Sequence, residues 1–135
     1  MSLLLDPFRM IRDIRSQGLA IYVWGGLLNI PQLVGGLIFI STTEGQVILV
    51  TIIATLVVAG QIHKRRPFSR LIGICHLPWL VLLPWLVYRL QIFEHSAPLK
   101  IWAHYVAATI FISLIFDFLD VYRYARGEKT FSWAK

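Results

Sequence analysis

Residues 42–62 read TTEGQVILVTIIATLVVAGQI, and this stretch decides the fold class. It contains no charged residue from Gly45 to Ile62. A helix needs about 20 mostly apolar residues to cross a hydrocarbon core of roughly 30 Å. The stretch therefore predicts a transmembrane helix, and Ser41-Thr42-Thr43-Glu44 has the pattern of a capping box at its start.

Three other apolar stretches are long enough to span a bilayer. Together with the first, they predict spans at about 19–40, 42–62, 67–92 and 98–124. Helices are expected because backbone amides need partners in lipid, and the stretches lack the alternation of barrel strands. Short links make sequential helices antiparallel. We predict an all-α protein, with residues 1–135 forming a single membrane domain, a bundle of four transmembrane helices.

Composition supports the same class. Hydrophobic residues make up 57% of the 135-residue chain, and its mean hydropathy is +0.67. An ordinary soluble domain has roughly 45–50% apolar residues. The net charge of +6 would suggest nucleic acid binding in a soluble protein. Here the basic residues lie at the ends of apolar stretches, so we expect the bilayer as partner and no nucleic acid.

The basic residues also predict the orientation. Of the 13 Lys and Arg residues, only Arg89 and Lys100 fall on one side of the predicted spans. Basic residues concentrate on the cytoplasmic side of membrane proteins. We therefore expect a multi-pass protein of the bacterial inner (cytoplasmic) membrane, with both termini, the middle loop and the tail at 125–135 in the cytoplasm.

The segment 1–17 is predicted to be a short amphipathic helix that lies on the cytoplasmic leaflet, rather than a cleaved signal. Asp6-Pro7 resembles a helix start. Four apolar residues fall on one helical face and four polar residues on the other: Leu4, Phe8, Ile11 and Ile14 against Arg9, Arg12, Asp13 and Ser16. The helix would serve as a positioning anchor or would bind a regulator or partner.

The third span carries the sequence Leu-Pro-Trp-Leu-Val twice, at 77–81 and 83–87. Pro78 and Pro84 each remove a backbone hydrogen bond from a helix. We expect a bend or a locally widened turn in this span.

The fourth span carries a polar stripe along one helical face. Its members are Tyr105, Thr109, Ser113, Asp117, Asp120 and Tyr124. An ionised carboxylate at the depth of Asp117 needs a partner, water or a proton. His76 lies at a similar depth, so a hydrogen bond with Asp117 is geometrically possible. Such a pair would relay protons, bind a cation or neutralise itself. Asp120 is placed to pair with Arg123.

Two other helices have polar faces. In the first span the residues Gly25, Asn29, Gln32 and Gly36 share a face, and in the second the residues Thr51, Thr55 and Ala59 do so. These faces would either hold helices together through close approach and hydrogen bonds, or line a polar path.

Local catalytic motifs are missing, which favours a non-enzymatic role. There is no phosphate-binding glycine loop, nucleophile elbow or paired-cysteine spacing. A metal site could draw on His76, Asp117, Asp120 and either Cys75 or His63, but their spacing identifies no metal and no cofactor. Chemistry on a lipid-borne phosphate would use basic residues near the cytoplasmic face. These are Arg65, Arg66, Arg70 and Arg123.

Three classes of function follow. The favoured one is an oligomeric channel or transporter for a small ion or solute. We expect a homo-oligomer, because a single bundle of four helices is too slim to enclose a wide pore. The alternatives are an accessory or scaffolding subunit of a larger membrane complex, and a membrane-embedded enzyme that acts on a lipid-borne phosphate. The candidate residues of the polar path are Asp117, His76, Asp120, Asn29, Gln32, Thr109 and Ser113.

Overall fold

The computed structural model describes residues 2–131. Within that range the chain is helical throughout, with five α-helices, one 3₁₀ helix and no strand. The elements are α1 (Ser2–Gln17), α2 (Leu19–Ile38), α3 (Thr43–Arg65), the 3₁₀ helix (Arg70–His76), α4 (Trp79–Ile92) and α5 (Ala97–Ala125).

Four segments are long and apolar enough to cross a membrane. They are Leu19–Ile38, Thr43–Arg65, Ile72–Ile92 and Ala97–Ala125. This confirms the predicted all-helical class with four potential membrane helices, and it is compatible with a multi-pass membrane protein. The α1 helix, the segment 66–69 and the segment 126–131 lie together, and we call this side the termini end. The opposite side, with the α2–α3 and α4–α5 links, is the loop end.

Helix starts follow from capping side chains. The Thr42 hydroxyl accepts a hydrogen bond from the Gly45 amide at 3.0 Å, which makes Thr42 the N-cap of α3. The predicted capping box began at Ser41, one residue earlier, and assigned Glu44 to the cap. Instead, the Glu44 carboxylate accepts a hydrogen bond from Arg89 at 2.6 Å. At α5, Ser96 caps the amide of Leu99.

The predicted bend in the third span is a change of helix type. The chain forms the 3₁₀ helix up to His76, and α4 begins after Pro78 and continues through Pro84. Gly73 allows the 3₁₀ helix to approach α5, because a Cβ atom there would lie 3.0 Å from Oδ1 of Asp117. Local backbone geometry therefore positions the polar groups of this segment against α5.

The core fills the half of the bundle nearer the loop end. Its fully buried members include Ile48, Ile52, Leu86, Val106 and Ile110. On the same half, α2 and α5 are in close contact. A Cβ atom on Gly35 would lie 2.0 Å from Nε1 of Trp102, and that indole N–H donates to the Pro31 carbonyl at 2.8 Å. These contacts close the loop end of the bundle.

The α1 helix packs against the end of α3 through polar contacts and through a small apolar cluster around the buried Met10. Asp6 is buried, and its carboxylate accepts a hydrogen bond from Gln61 at 2.7 Å. This bond, followed by the charge of Lys64, lowers the pKa of Asp6 below its ordinary value. The helix begins at Ser2, so Pro7 lies inside it and Asp6-Pro7 is not its start. Leu4 and Phe8 remain exposed.

Backbone hydrogen bonds join the C-terminal residues to the segment before the 3₁₀ helix. The Arg70 amide donates to the Lys129 carbonyl at 2.9 Å, and the Phe131 amide donates to the Phe68 carbonyl at 3.1 Å. These bonds hold the tail beside the cluster described next, as far as the structure describes it.

Candidate functional site

The 3₁₀ helix and α5 bring together the two groups that the sequence placed at a similar depth. Nδ1 of His76 lies 2.6 Å from Oδ2 of Asp117. Their side chains are 16% and 17% exposed, so water has limited access to either. One hydrogen bond therefore joins the imidazole to the carboxyl group across two segments.

An aromatic ring holds the imidazole in place. The ring of Trp79 stacks on that of His76 with centroids 3.9 Å apart and an interplanar angle of 9°. Trp79 is fully buried, so this surface is fixed. The hydrogen bond to Asp117 and the stacking on Trp79 together restrict the orientation of His76.

The second acidic residue of the stripe has a different partner from the one predicted. Nη1 of Arg70 lies 2.8 Å from Oδ1 of Asp120. Asp120 therefore pairs with Arg70 on the 3₁₀ helix, rather than with Arg123 on its own helix. Arg70 is buried and also approaches Glu128, at 3.9 Å. The sequence placed Arg70 among surface residues, because its burial depends on the return of the chain against α5.

The His76–Asp117 and Arg70–Asp120 pairs border a cavity of about 690 Å³. Apolar side chains from α1, α2, α3, the 3₁₀ helix and α5 form most of the wall. The polar and charged residues that line it are Asn29, Thr55, Arg70, His76, Ser113, Asp117, Asp120 and Arg123. Ligand pockets for small molecules usually have roughly 300–1,000 Å³ and a mostly apolar lining with a few polar groups. The cavity has the size and composition of a small-molecule site.

Three buried polar atoms of the lining residues have no hydrogen-bond partner within residues 2–131. They are Oδ1 of Asn29, Oγ1 of Thr55 and Nε of Arg70. Thr55 is only 2% exposed. An unsatisfied buried polar group costs about 1–3 kcal/mol. The cavity therefore presents hydrogen-bonding capacity that a ligand or water would satisfy.

The predicted polar path separates into two groups. Asn29, Ser113 and the charged residues line the cavity. Gln32 and Thr109 do not: both are buried, and their side chains donate to carbonyls of their own helices, at 3.0 Å to Leu28 and at 2.9 Å to Tyr105. The depth of a residue could be estimated from the sequence, but the side of the helix that faces the cavity depends on helix rotation.

The cavity ends at the apolar core. Leu28 lines the cavity and also belongs to the core cluster with Ile48 and Ile52. Beyond it, the contact of Gly35 with Trp102 closes the bundle. Among the described residues, none that lines the cavity on α2 lies beyond Asn29 towards the loop end.

Three polar side chains interact at the loop end. Oε1 of Glu44 accepts from Nε of Arg89 at 2.6 Å and lies 3.0 Å from Nε2 of His95. The side chain of Glu44 is 5% exposed. Arg89 on α4 therefore pairs with Glu44 on α3. The cluster joins the α4–α5 link to the start of α3, far from the cavity.

The four predicted headgroup contacts have different environments. Arg65 and Arg66 are exposed at the termini end, and Arg66 donates to the Tyr124 hydroxyl at 2.8 Å. Arg123 is exposed and lines the cavity. Arg70 is buried in its ion pair. The guanidinium group of Arg70 is therefore already bound to a carboxylate within the protein.

The part of the chain that the structure describes holds no group of three or more His, Cys, Asp or Glu side chains that could bind a metal ion. Cys75, which lines the cavity, is a free and buried thiol. No protein-family model, curated protein or solved structure matches the chain. The site is therefore interpreted from its own geometry.

Proposed function

We propose that this chain is a transport protein for a small ion or solute, with the His76–Asp117 pair as its proton site. One observation carries the proposal: an acid and an imidazole from separate membrane segments meet at 2.6 Å in the wall of a cavity. Ionisable residues within membrane segments are costly and commonly mark ion or substrate pathways. A proton gained or lost at the pair changes the charge of the cavity wall by one unit.

The shape of the cavity favours a transporter over an open pore. The apolar core and the Gly35–Trp102 contact lie between the cavity and the loop end. Transport by alternating access requires a site that is reachable from one side at a time. In the proposed cycle, the chain as described is the state with its loop end closed.

The proposed orientation places the termini end in the cytoplasm of a bacterial cell. Basic residues concentrate at this end, in agreement with the positive-inside rule. The exposed Leu4, Phe8 and Ile11 would insert α1 into the membrane interface. The exposed Arg65 and Arg66 would contact anionic headgroups.

We further propose that several copies assemble. A bundle of four helices has little room for a continuous polar path, and contacts between copies would allow the helices to rearrange. An accessory role beside a larger membrane partner is the alternative, and it predicts a specific partner that co-purifies in fixed ratio. The enzyme alternative has less support, because Arg70 is already paired with Asp120 and two neighbouring arginines lie outside the cavity.

Proton flux into liposomes tests the proposal. Purified protein is reconstituted into liposomes that contain a pH-sensitive dye, and a potassium diffusion potential drives protons inward. The wild type is expected to acidify the interior faster than protein-free liposomes do. His76→Ala and Asp117→Asn are expected to reduce the rate to the protein-free level.

His104→Ala is the matched control, since His104 is exposed and its Nδ1 donates to the Lys100 carbonyl of its own helix at 2.7 Å. This variant is expected to keep the wild-type rate. Folded wild-type protein that moves protons no faster than empty liposomes contradicts the proposal.

A further inference from the structure

The cavity wall between α2 and α5 reaches the outer surface of the bundle. Ile21, Ile112 and Phe116 line the cavity, yet they are 40%, 42% and 54% exposed. On membrane segments, exposed apolar side chains face lipid. The cavity therefore borders the hydrocarbon region at this position.

The contact between α2 and α5 changes along their length. Near the loop end, the indole of Trp102 donates to the Pro31 carbonyl at 2.8 Å, and the Tyr105 hydroxyl donates to the Leu27 carbonyl. Towards the termini end, the helices meet through the rings of Trp24 and Phe116. These lie edge to face with centroids 6.4 Å apart. Ring contacts of this kind separate by side-chain rotation, whereas the hydrogen-bonded part resists separation.

Both carboxyl groups in the cavity wall have a partner. Asp117 lies 2.6 Å from His76, and Asp120 lies 2.8 Å from Arg70. Arg123 is the further charged residue of the lining, and it is exposed. A buried ion that entered the cavity would have to compete with these pairs, so the charge distribution favours a neutral ligand.

The unsatisfied atoms of the lining belong to two neutral groups, on Thr55 and Asn29, and to the Nε–H donor of the paired Arg70. Thr55 offers a hydroxyl that donates and accepts, and Asn29 offers an amide oxygen that accepts. The imidazole of His76, oriented by Asp117, adds a third group. A ligand head with carbonyl or hydroxyl groups would satisfy them, and an alkane would leave them unpaired.

We infer that the cavity takes a neutral, membrane-soluble molecule with a carbonyl- or hydroxyl-bearing head, which enters from the lipid between α2 and α5. The head lies among Thr55, Asn29 and His76, and the apolar tail passes between Trp24 and Phe116. This inference rests on the proposed function, in which the cavity is the binding site, and it names the class of solute.

Photolabelling in lipid nanodiscs tests the inference on the full chain. Two probes are benzoquinones with a short alkyl tail, one with a photoreactive group on the head and the other with the group at the end of the tail. We expect labelling that an excess of unmodified alkyl-benzoquinone competes away. The head probe should label the α3 peptide that contains Thr55, and the tail probe should label peptides with Trp24 or Phe116.

Two valine variants on one helix provide the matched comparison. Thr55→Val removes the unsatisfied hydroxyl of the lining and is expected to raise the competitor Kd by about two- to tenfold, the effect of one neutral hydrogen bond. Thr51→Val is expected to leave the Kd unchanged, because the Thr51 hydroxyl donates to the Val47 carbonyl at 2.7 Å and does not line the cavity.

Three results would overturn the inference. The first is equal, competable labelling by a probe with the same tail and no polar head. The second is stronger competition by the same tail with a carboxylate or ammonium head. The third is tail labelling on α1 rather than on α2 and α5, which would place entry at the termini end. If the protein moves protons in liposomes but shows no competable labelling in nanodiscs, only this inference is contradicted. If it shows competable labelling but moves no protons, only the proposed function is contradicted.

Discussion

The imidazole Nδ1 of His76 lies 2.6 Å from the carboxylate Oδ2 of Asp117, across the contact between the 3₁₀ helix and α5. The two side chains come from separate segments that are long and apolar enough to span a membrane, and each limits the exposure of the other to water. The pair therefore links the packing of the third and fourth segments to the protonation of the cavity wall. Its consequences can be measured separately from transport.

Removal of the His76 imidazole is expected to destabilise the protein more than replacement of the Asp117 carboxyl group by an amide. His76→Ala leaves the Asp117 carboxylate without its partner, whereas Asp117→Asn keeps an oxygen that accepts from Nδ1. We expect His76→Ala to lower the free energy of unfolding by about 1–3 kcal/mol, and Asp117→Asn to lower it less. Unfolding in mixed micelles measures both. A His76→Ala variant as stable as His104→Ala would contradict this account of the pair.

The ion pair between Arg70 and Asp120 predicts that substitutions at these two residues have non-additive effects on the free energy of unfolding. Removal of one partner from a buried pair costs about 3–5 kcal/mol, and we expect Arg70→Gln to fall near the lower limit because the Asp120 side chain is 20% exposed. The double variant Arg70→Gln/Asp120→Asn should recover part of the loss. Arg126→Gln is the control, since Arg126 is exposed. If the losses of unfolding free energy in the two single variants add up to the loss in the double variant, the two residues do not stabilise each other.

Substitution by alanine is expected to affect the stability of the protein differently at two glycines of α2. A Cβ atom on Gly35 would lie 2.0 Å from Nε1 of Trp102, and one on Gly26 would meet only Ile30 Cδ1, at 3.7 Å. Gly35→Ala is expected to cost about 1–3 kcal/mol of unfolding free energy through overpacking. Gly26→Ala should be neutral, or stabilising by up to about 1 kcal/mol. Equal thermal unfolding midpoints for the two variants would contradict the close contact of α2 and α5.

The docking of α1 is expected to weaken in acid. The hydrogen bond from Gln61 lowers the pKa of Asp6 in the folded chain. The ionised Asp6 side chain therefore stabilises the docked helix fully at a pH above the ordinary pKa of the carboxyl group. This stabilisation is lost as the pH falls through the lowered pKa. Protection factors from hydrogen exchange in α1 measure the effect, because they correct for the intrinsic pH dependence. Asp6→Asn should lower protection at neutral pH and remove most of its pH dependence; the same pH dependence in both proteins would exclude Asp6 as the cause.

The membrane segments could be predicted because length and hydropathy are local properties of the chain. The limits of α3 and α5 agree with the predicted spans to within a few residues. The depth of His76 and Asp117 could also be estimated by counting residues from the basic ends. Their contact could not, since it depends on the rotation of α5 and on the 3₁₀ geometry of the third segment.

The partners of Asp120 and Glu44 could not be predicted for a related reason. Sequence spacing favours neighbours on the same helix, such as Arg123 for Asp120. The observed partners, Arg70 and Arg89, come from other segments. Thr55 was recognised as part of a polar face, but its exposure to a cavity depends on the gap between α2 and α5.

Infrared difference spectroscopy tests the central claim most directly, because it observes the protons of the His76–Asp117 pair. Spectra of the protein in lipid are recorded between about pH 8 and about pH 5, the range in which histidine commonly titrates. The account predicts a pH-dependent signal from imidazole and carboxyl groups that both His76→Ala and Asp117→Asn remove. A difference spectrum that neither substitution changes would contradict the assignment of the pair as a proton site.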